Sequence, residues 1–402
     1  MRVVGAPTPW AEFLDGRLAE LEEASLLRRL RAVDRPVAPV VERDGRRLLN
    51  LSSNNYLGLA DHPAVKAAMA SAADRGAGST ASRLVVGTDH EALELEARIA
   101  AFKGAEAALL FGTGYLANLG VLSALLSGED AVFSDRLNHA SIWDGIRLSG
   151  ATLYRYDHAD ADHLESLLRD ADGKGHARRL IVTESVFSMD GDVAPLEEIA
   201  GLAERFGAAL VVDEAHAGGV FGPHGEGFVH ELGIEDRVDL SIGTFGKAFG
   251  VYGAYAAGSS TWIRYLVNRC RPFIFTTALP PPVIGGIGAA LELVTQAHEP
   301  RRALAARAER FRDRVRGLGL DTRGSTTQIV PAVVGDNARA LALARALEER
   351  GVLAVAIRPP TVPPGTARLR FSLTAAHGDR DVDAVLAAIE AAALEVGALP
   401  VA

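Results

Sequence analysis

The segment Ser241-Ile-Gly-Thr-Phe-Gly-Lys-Ala-Phe-Gly250 decides how this chain reads. A short apolar run with strand character leads into it, glycines stand on both sides of Lys247, and Thr244 supplies a hydroxyl three residues upstream. About thirty residues earlier lies Val211-Val-Asp-Glu-Ala-His216, a second buried-strand pattern that ends in a carboxylate. A lysine amine condenses with an aldehyde to an imine, and a carboxylate at a strand end can keep a pyridine nitrogen protonated. Together they read as a site for pyridoxal phosphate (PLP), with Lys247 carrying the aldehyde and Asp213 sustaining the electron sink.

A competing reading comes from Asp213-Glu-Ala-His216, which spells the DEAH box of certain ATPases. Such an enzyme needs Gly-x-x-x-x-Gly-Lys-[Ser/Thr] to cradle phosphates. Counting back from Lys247, the first glycine's place is taken by Ser241, and the residue after the lysine is Ala248. Both ends of the motif fail.

Composition narrows the field further. With 402 residues, 48% apolar and 23% charged, the chain is ordinary for a globular protein and long enough for more than one lobe. A formal net charge of −9 argues against nucleic acid or a membrane surface as the main partner. Cys270 is the only cysteine, so no internal disulfide and no cysteine metal cluster can form, which fits a reducing cytoplasm. No secretory signal is expected, because no basic segment leads into an apolar core at the start. The best apolar run, Leu279 to Leu291, is too short to span a bilayer and is broken by prolines and glycines.

Between these landmarks the pattern alternates. Apolar spacing predicts an amphipathic opening helix from Trp10 to Arg31, ended by Pro36 and Pro39. Strands are expected at Ala107–Phe111, Ala131–Ser134, Thr152–Tyr156, Leu180–Thr183, Ala209–Val212, Leu240–Gly243 and Tyr255–Ala257. Helical patterns fall at Tyr115–Leu126, Ala140–Leu148, Ala161–Arg169 and Pro195–Phe206. That rhythm predicts an α/β fold: a mainly parallel seven-stranded sheet with helices on both faces. Polar residues gather just after the strands, at the carboxyl edge where open α/β sheets bind ligands. One long helix around Ala289 to Leu318 is expected to lead into a smaller α+β C-terminal domain. The expected division is residues 1–50 as helix and arm, 51–288 as the large cofactor-binding domain, and 289–402 as the small one.

Several segments carry a family likeness. Asn54-Asn-Tyr-Leu-Gly58, Ser82-Arg83 with Gly87 and His90, Asp135-Arg-Leu-Asn-His-Ala-Ser141 and Glu184-Ser-Val-Phe-Ser-Met-Asp-Gly191, with the two segments above, resemble the α-oxoamine synthases. These are aminotransferase-like PLP enzymes of fold type I that condense an amino acid with an acyl thioester, and the resemblance runs essentially end to end. Ala356-Ile-Arg-Pro-Pro-Thr-Val-Pro-Pro-Gly-Thr-Ala-Arg-Leu-Arg370 resembles the branch that joins L-alanine to a pimeloyl thioester. A glycine-using branch shares the central motifs and is the alternative. Arg83 stands where some relatives are glycine-rich, which leaves acyl selectivity open.

The resemblance implies roles. Lys247 would hold the cofactor and act as base at the amino acid's Cα; Asp213 would pair with the ring nitrogen, and His216 with the phenolic oxygen. His139 would stack on the ring, and Ser188 would hydrogen-bond its substituents. Gly114 and Tyr115, where a helix begins, and the Thr244 hydroxyl would hold the phosphate. Thr277 resembles a position that reaches the phosphate of a neighbouring subunit, implying a homodimer with shared sites. Arg370 would fork onto the amino acid's carboxylate with help from Asn54. Arg28 and Thr361 match positions near the acyl side, although a surface salt bridge competes for Arg28. Glu184 would support His139 or Asp213. The implied partners are an amino acid and an acyl thioester carried by coenzyme A or by an acyl carrier protein.

Overall fold

The computed structural model describes residues 8–399. A helix at Pro9–Glu23, capped by the Thr8 hydroxyl, opens the chain. It stops eight residues short of the expected Arg31, because Ser25 takes a left-handed backbone (φ 55°) and the amides of Leu26 and Leu27 turn back to the Leu21 carbonyl. No residue of this helix is buried, so its apolar stripe gains nothing from packing within the chain that would carry it further. A hairpin follows, β1 (Val40–Arg43) with β2 (Arg46–Asn50).

The central sheet contains β3 (Ala107–Phe111), β4 (Ala131–Asp135), β5 (Thr152–Tyr156), β6 (Arg179–Glu184), β7 (Ala209–Asp213), β8 (Leu240–Thr244) and β9 (Ala254–Gly258). Their order across the sheet is β3-β9-β8-β7-β6-β4-β5. Every pairing is parallel except those of β9, which runs antiparallel to both β3 and β8. Alternate residues face opposite sides, so Val132, Leu180, Val182 and Val211 pack with the helices Gly114–Leu125, Ala140–Ser149 and Ser260–Arg269. On the other face Phe133, Ile181, Leu210 and Val212 meet Ala161–Ala171 and Leu196–Phe206. Leu110, Tyr255 and Ala257 meet His90–Phe102 and Pro281–Gln296 on that same side. A sheet covered on both faces favours strands that are apolar on both sides, as the inner strands mostly are, whereas the edge strand β5 (Thr-Leu-Tyr-Arg-Tyr) is largely exposed.

The expected long helix after Ala289 is two helices, Pro281–Gln296 and His298–Gly317, parted at Ala297. Pro300 explains the break, since proline fits only the first turn of a helix, where its missing N–H would bond to nothing. The C-terminal lobe contains β10 (Ile329–Gly335), β11 (Val352–Leu353), β12 (Val355–Ile357) and β13 (Ala367–Ser372), with helices Asn337–Glu349 and Asp379–Glu395. β13 lies between β10 and β12, antiparallel to both, and β11 joins β2 in parallel, so the N-terminal hairpin folds with this lobe. The last helix was not anticipated, although Val382, Val385, Leu386, Ile389, Ala392 and Ala393 form its buried stripe.

Candidate active site

Lys247 sits in the turn after β8, and the glycine next door is set by crowding. Gly250 has φ +70°, and a Cβ there would lie 2.2 Å from the Ala60 amide nitrogen, so only glycine lets the lysine turn press against the Asn54–Ala60 segment. The amine of Lys247 lies 2.8 Å from Nε2 of His216. His216 in turn meets the Tyr56 hydroxyl through Nδ1 at 2.7 Å. Burial, reinforced by the charges of Lys247 and Arg370, holds His216 far below the ordinary histidine pKa, so its ring is neutral. Because the Tyr56 hydroxyl donates to Asn54 Oδ1 at 3.2 Å, Nδ1–H of His216 donates to Tyr56 and Nε2 accepts from Lys247. Burial also lowers the Lys247 pKa to about 8, against the opposing pull of the Asp213 carboxylate.

Asp213 closes β7. Its Oδ2 accepts from Asn118 Nδ2 at 2.6 Å and its Oδ1 from the Ala215 amide at 2.8 Å. Asn118 also donates to Ser141 Oγ at 3.0 Å, and Ser141 Oγ lies 2.8 Å from His139 Nδ1, which the Ser141 amide reaches as well. Reading the donors outward, Asn118 gives to Ser141 and Ser141 gives to Nδ1, which leaves the proton of His139 on Nε2. The ring opens onto the cleft yet is walled by protein on most sides, and this burial lowers its pKa despite the nearby Asp213. Glu184 is in register with Asp213 on the neighbouring parallel strand. It is fully buried and its Oε1 has no hydrogen-bond partner among the described residues; burial first, and the Asp213 charge second, raise its pKa well above the ordinary carboxyl value. Both effects favour the protonated acid.

The C-terminal lobe contributes Arg370 from β13. Its Nε donates to the Ser188 carbonyl, Nη1 to Asn54 Oδ1 at 3.0 Å and Ser372 Oγ at 2.8 Å, and Nη2 approaches the Tyr56 hydroxyl at 3.5 Å. Two segments remote in sequence, Asn54–Tyr56 and the Ser188 loop, thus converge on one buried guanidinium. Ser188 is buried in the loop after β6 and meets Arg370 through its backbone.

The helix Gly114–Leu125 begins beneath the same edge. The Thr113 hydroxyl caps it by accepting from the Leu116 amide, while the amides of Gly114 and Tyr115 find no acceptor among the described residues. Tyr115 bonds Asp144 through its hydroxyl. Thr244 is already engaged, donating to the Gly253 carbonyl at 3.0 Å and accepting from the Gly246 amide at 3.1 Å, and Gly114 lies against its Cβ.

The remaining expected residues stand apart from this cluster. Arg28 donates to the Pro359 carbonyl at 3.3 Å, two residues before Thr361; among the described residues Arg28 has no carboxylate within ion-pair distance. Thr277 is exposed and joined by a β-bridge to Ser82, near in sequence to the exposed apolar residues Leu84, Val85, Val86 and Phe275. Three contributors went unnoticed in the sequence: Tyr56, Asn118 and Ser141. Tyr56 and Ser141 lie inside segments already singled out, and Asn118 is a lone amide on a buried helix face, which is itself a signal.

A family model for aminotransferase class I and II matches residues 46–389. The chain belongs to that family. Within it the relatives are α-oxoamine synthases. The chain is 52% identical over 381 residues to an 8-amino-7-oxononanoate synthase of Anaeromyxobacter dehalogenans, covering 94% of this chain and 95% of that one. Among solved structures it matches a serine palmitoyltransferase variant from S. paucimobilis with bound PLP and myriocin (TM-score 0.90, 31% identity, 97% and 99% coverage). It also matches an 8-amino-7-oxononanoate synthase from Francisella tularensis (TM-score 0.73, 29% identity, 86% and 97% coverage). The fold-type-I architecture that the resemblance implied is the one these family members share, and its mainly parallel seven-stranded sheet is the one the strand rhythm predicted.

Proposed function

We propose that this aminotransferase-family member condenses L-alanine with a pimeloyl thioester, releasing carbon dioxide, free thiol and 8-amino-7-oxononanoate, the step that serves biotin synthesis. Identity near one half over almost the whole chain to enzymes of that name carries the reading. The cofactor is PLP, and the site suits it. The lysine amine has a depressed pKa, a carboxylate ends the adjoining strand, and two unbonded amides mark a helix start where a phosphate would be welcomed. Lys247, Asp213, His216, Gly114 and Tyr115 would hold it, with Ser188 and His139 beside the ring. Thr244 would serve only by rotating its hydroxyl away from Gly253. When bound, PLP supplies the sink for the electron pair at the amino acid's Cα.

The chain's own groups do the rest. Arg370, fixed by Asn54 and the Ser188 carbonyl, grips the alanine carboxylate through its remaining donors. Lys247, neutral in a large fraction near pH 8, takes the Cα proton and later returns it. His139 offers Nε2–H to the thioester oxygen as negative charge develops there. Arg28 and Thr361 flank the acyl side. The exposed apolar residues Leu84, Val85, Val86 and Phe275 adjoin Thr277 through the Ser82–Thr277 bridge, which supports a homodimer in which Thr277 reaches a neighbouring site. Among the described residues no helix is long and apolar enough to cross a membrane, in keeping with a cytoplasmic enzyme.

A matrix of alanine, glycine and serine against pimeloyl-, acetyl- and palmitoyl-thioesters, on coenzyme A and on acyl carrier protein, tests this. Thiol release and product mass should peak for alanine with a pimeloyl thioester. Preference for glycine with acetyl, or serine with palmitoyl, would overturn it.

A further inference from the structure

His158 lies just beyond β5, outside the cluster described above, yet it touches two of its supports. Its Nδ1 is 3.1 and 3.2 Å from the two oxygens of Asp135, and its Nε2 is 2.7 Å from Oδ2 of Asp192. Ionised carboxylates only accept hydrogen bonds, so both ring nitrogens must donate, and the ring must carry both protons. Among the described residues neither Asp135 nor Asp192 has another cationic partner within ion-pair distance. The ring of Phe187 packs edge-on, 4.4 Å between centroids, and Tyr156 brings an uncharged phenol near Asp135. These are the groups that face the imidazole from β4, β5 and the loop after β6.

Each carboxylate governs a different wall of the site. Asp135 ends β4 and also accepts from the amides of Leu137 and Ala159, shaping the turn that presents His139. Asp192 lies in the loop that begins at Ser185, where its carbonyl accepts from the Phe187 amide; one residue earlier, Gly191 is anchored to Thr326 and Thr327 of the C-terminal lobe. The same loop presents the Ser188 carbonyl that orients Arg370. We propose that His158 is a positioning residue: as an imidazolium it cross-links the turn carrying His139 to the loop carrying Ser188, and so aims Arg370 at the amino acid's carboxylate. The two flanking carboxylates outweigh burial and raise its pKa to about 10, which keeps the cross-link intact across neutral pH. The role rests on the proposed use of Arg370 for the amino acid.

The test uses PLP-loaded protein. L-Alanine is titrated against the visible spectrum of the bound cofactor in the wild type, His158→Asn and Asp192→Asn, and histidine nitrogen NMR follows protonation of His158. Wild-type His158 should show two protonated nitrogens at pH 8, and Asp192→Asn should move its titration down by at least about one unit. Both variants should load PLP normally yet bind alanine at least about tenfold more weakly, with the loss in KM rather than kcat. A His158 already neutral at pH 8, or unchanged alanine affinity in either PLP-loaded variant, overturns the proposal. Should His158→Asn fail to fold, Asp192→Asn alone decides. If the wild type itself does not bind alanine, the proposed substrate is at fault rather than His158.

Discussion

At the scale of single residues, the proposed chemistry turns on protonation, at Lys247 above all. An ordinary lysine is almost wholly cationic at neutral pH, and a cationic amine cannot attack an aldehyde. Burial brings Lys247 down from 10.5 to about 8, so half its population is the neutral amine at that pH. The rate at which cofactor-free protein takes up PLP should therefore rise with pH through a midpoint near 8, followed by the visible absorbance of the imine; a midpoint above 10 would contradict it. The sign for stability follows. The unfolded chain binds more protons than the folded one between pH 8 and 10.5, so this residue makes the cofactor-free fold more stable as pH rises through that window. Glu184 behaves in the opposite sense, a carboxyl whose charge is suppressed by burial and by Asp213. Because burial favours the uncharged acid, Glu184→Gln should leave kcat within about threefold of wild type in the thiol-release assay. A loss of a hundredfold or more would mean that the ionised form is needed.

At the scale of elements, the site depends on how closely two helices meet. Gly145 in Ala140–Ser149 faces Gly114–Leu125, and a Cβ there would lie 2.9 Å from the Asn118 carbonyl oxygen and 3.0 Å from Leu122 Cβ. The second helix carries Asn118, and the first begins just after His139, so this contact spaces the chain of hydrogen bonds from Asp213 to His139. Gly145→Ala should cost about 1–3 kcal/mol of stability through overpacking, read as a lower melting temperature. It should also weaken PLP retention, measured by cofactor content after dialysis. The strands of the central sheet were readable within a residue or two, because buried parallel strands are written as unbroken apolar runs between turn residues. The helix at Pro9–Glu23 read too long because periodicity says nothing about whether a face finds a partner, and none of that helix is buried. The split at Ala297 was legible in Pro300 and passed over.

At the scale of the whole molecule, the site is assembled from ends that the sheet order brings together. Lys247, Asp213, His139 and Ser188 all follow strands of one sheet, so their convergence could be expected from the sequence. The fastening of Arg370 could not, because its partners Asn54, Tyr56 and Ser188 lie 316, 314 and 182 residues away, and only the folded chain sets those contacts. Nor could the bridging of Asp135 and Asp192 by His158, three ordinary polar residues in sequence. In the proposed homodimer, Thr277 and the exposed apolar residues beside it would serve the assembly rather than the single chain. Sedimentation should give twice the 42.4 kDa chain mass, and Thr277→Ala should weaken PLP binding severalfold while the assembly persists. A monomer that retains full activity would remove the shared-site reading.

The most direct measurement is to reduce the PLP-loaded protein with borohydride, digest it, and locate the modified lysine by mass spectrometry. The account predicts a single pyridoxyl adduct, on Lys247, that disappears in Lys247→Ala. An adduct on another lysine, or none in protein that has been incubated with PLP, would contradict it.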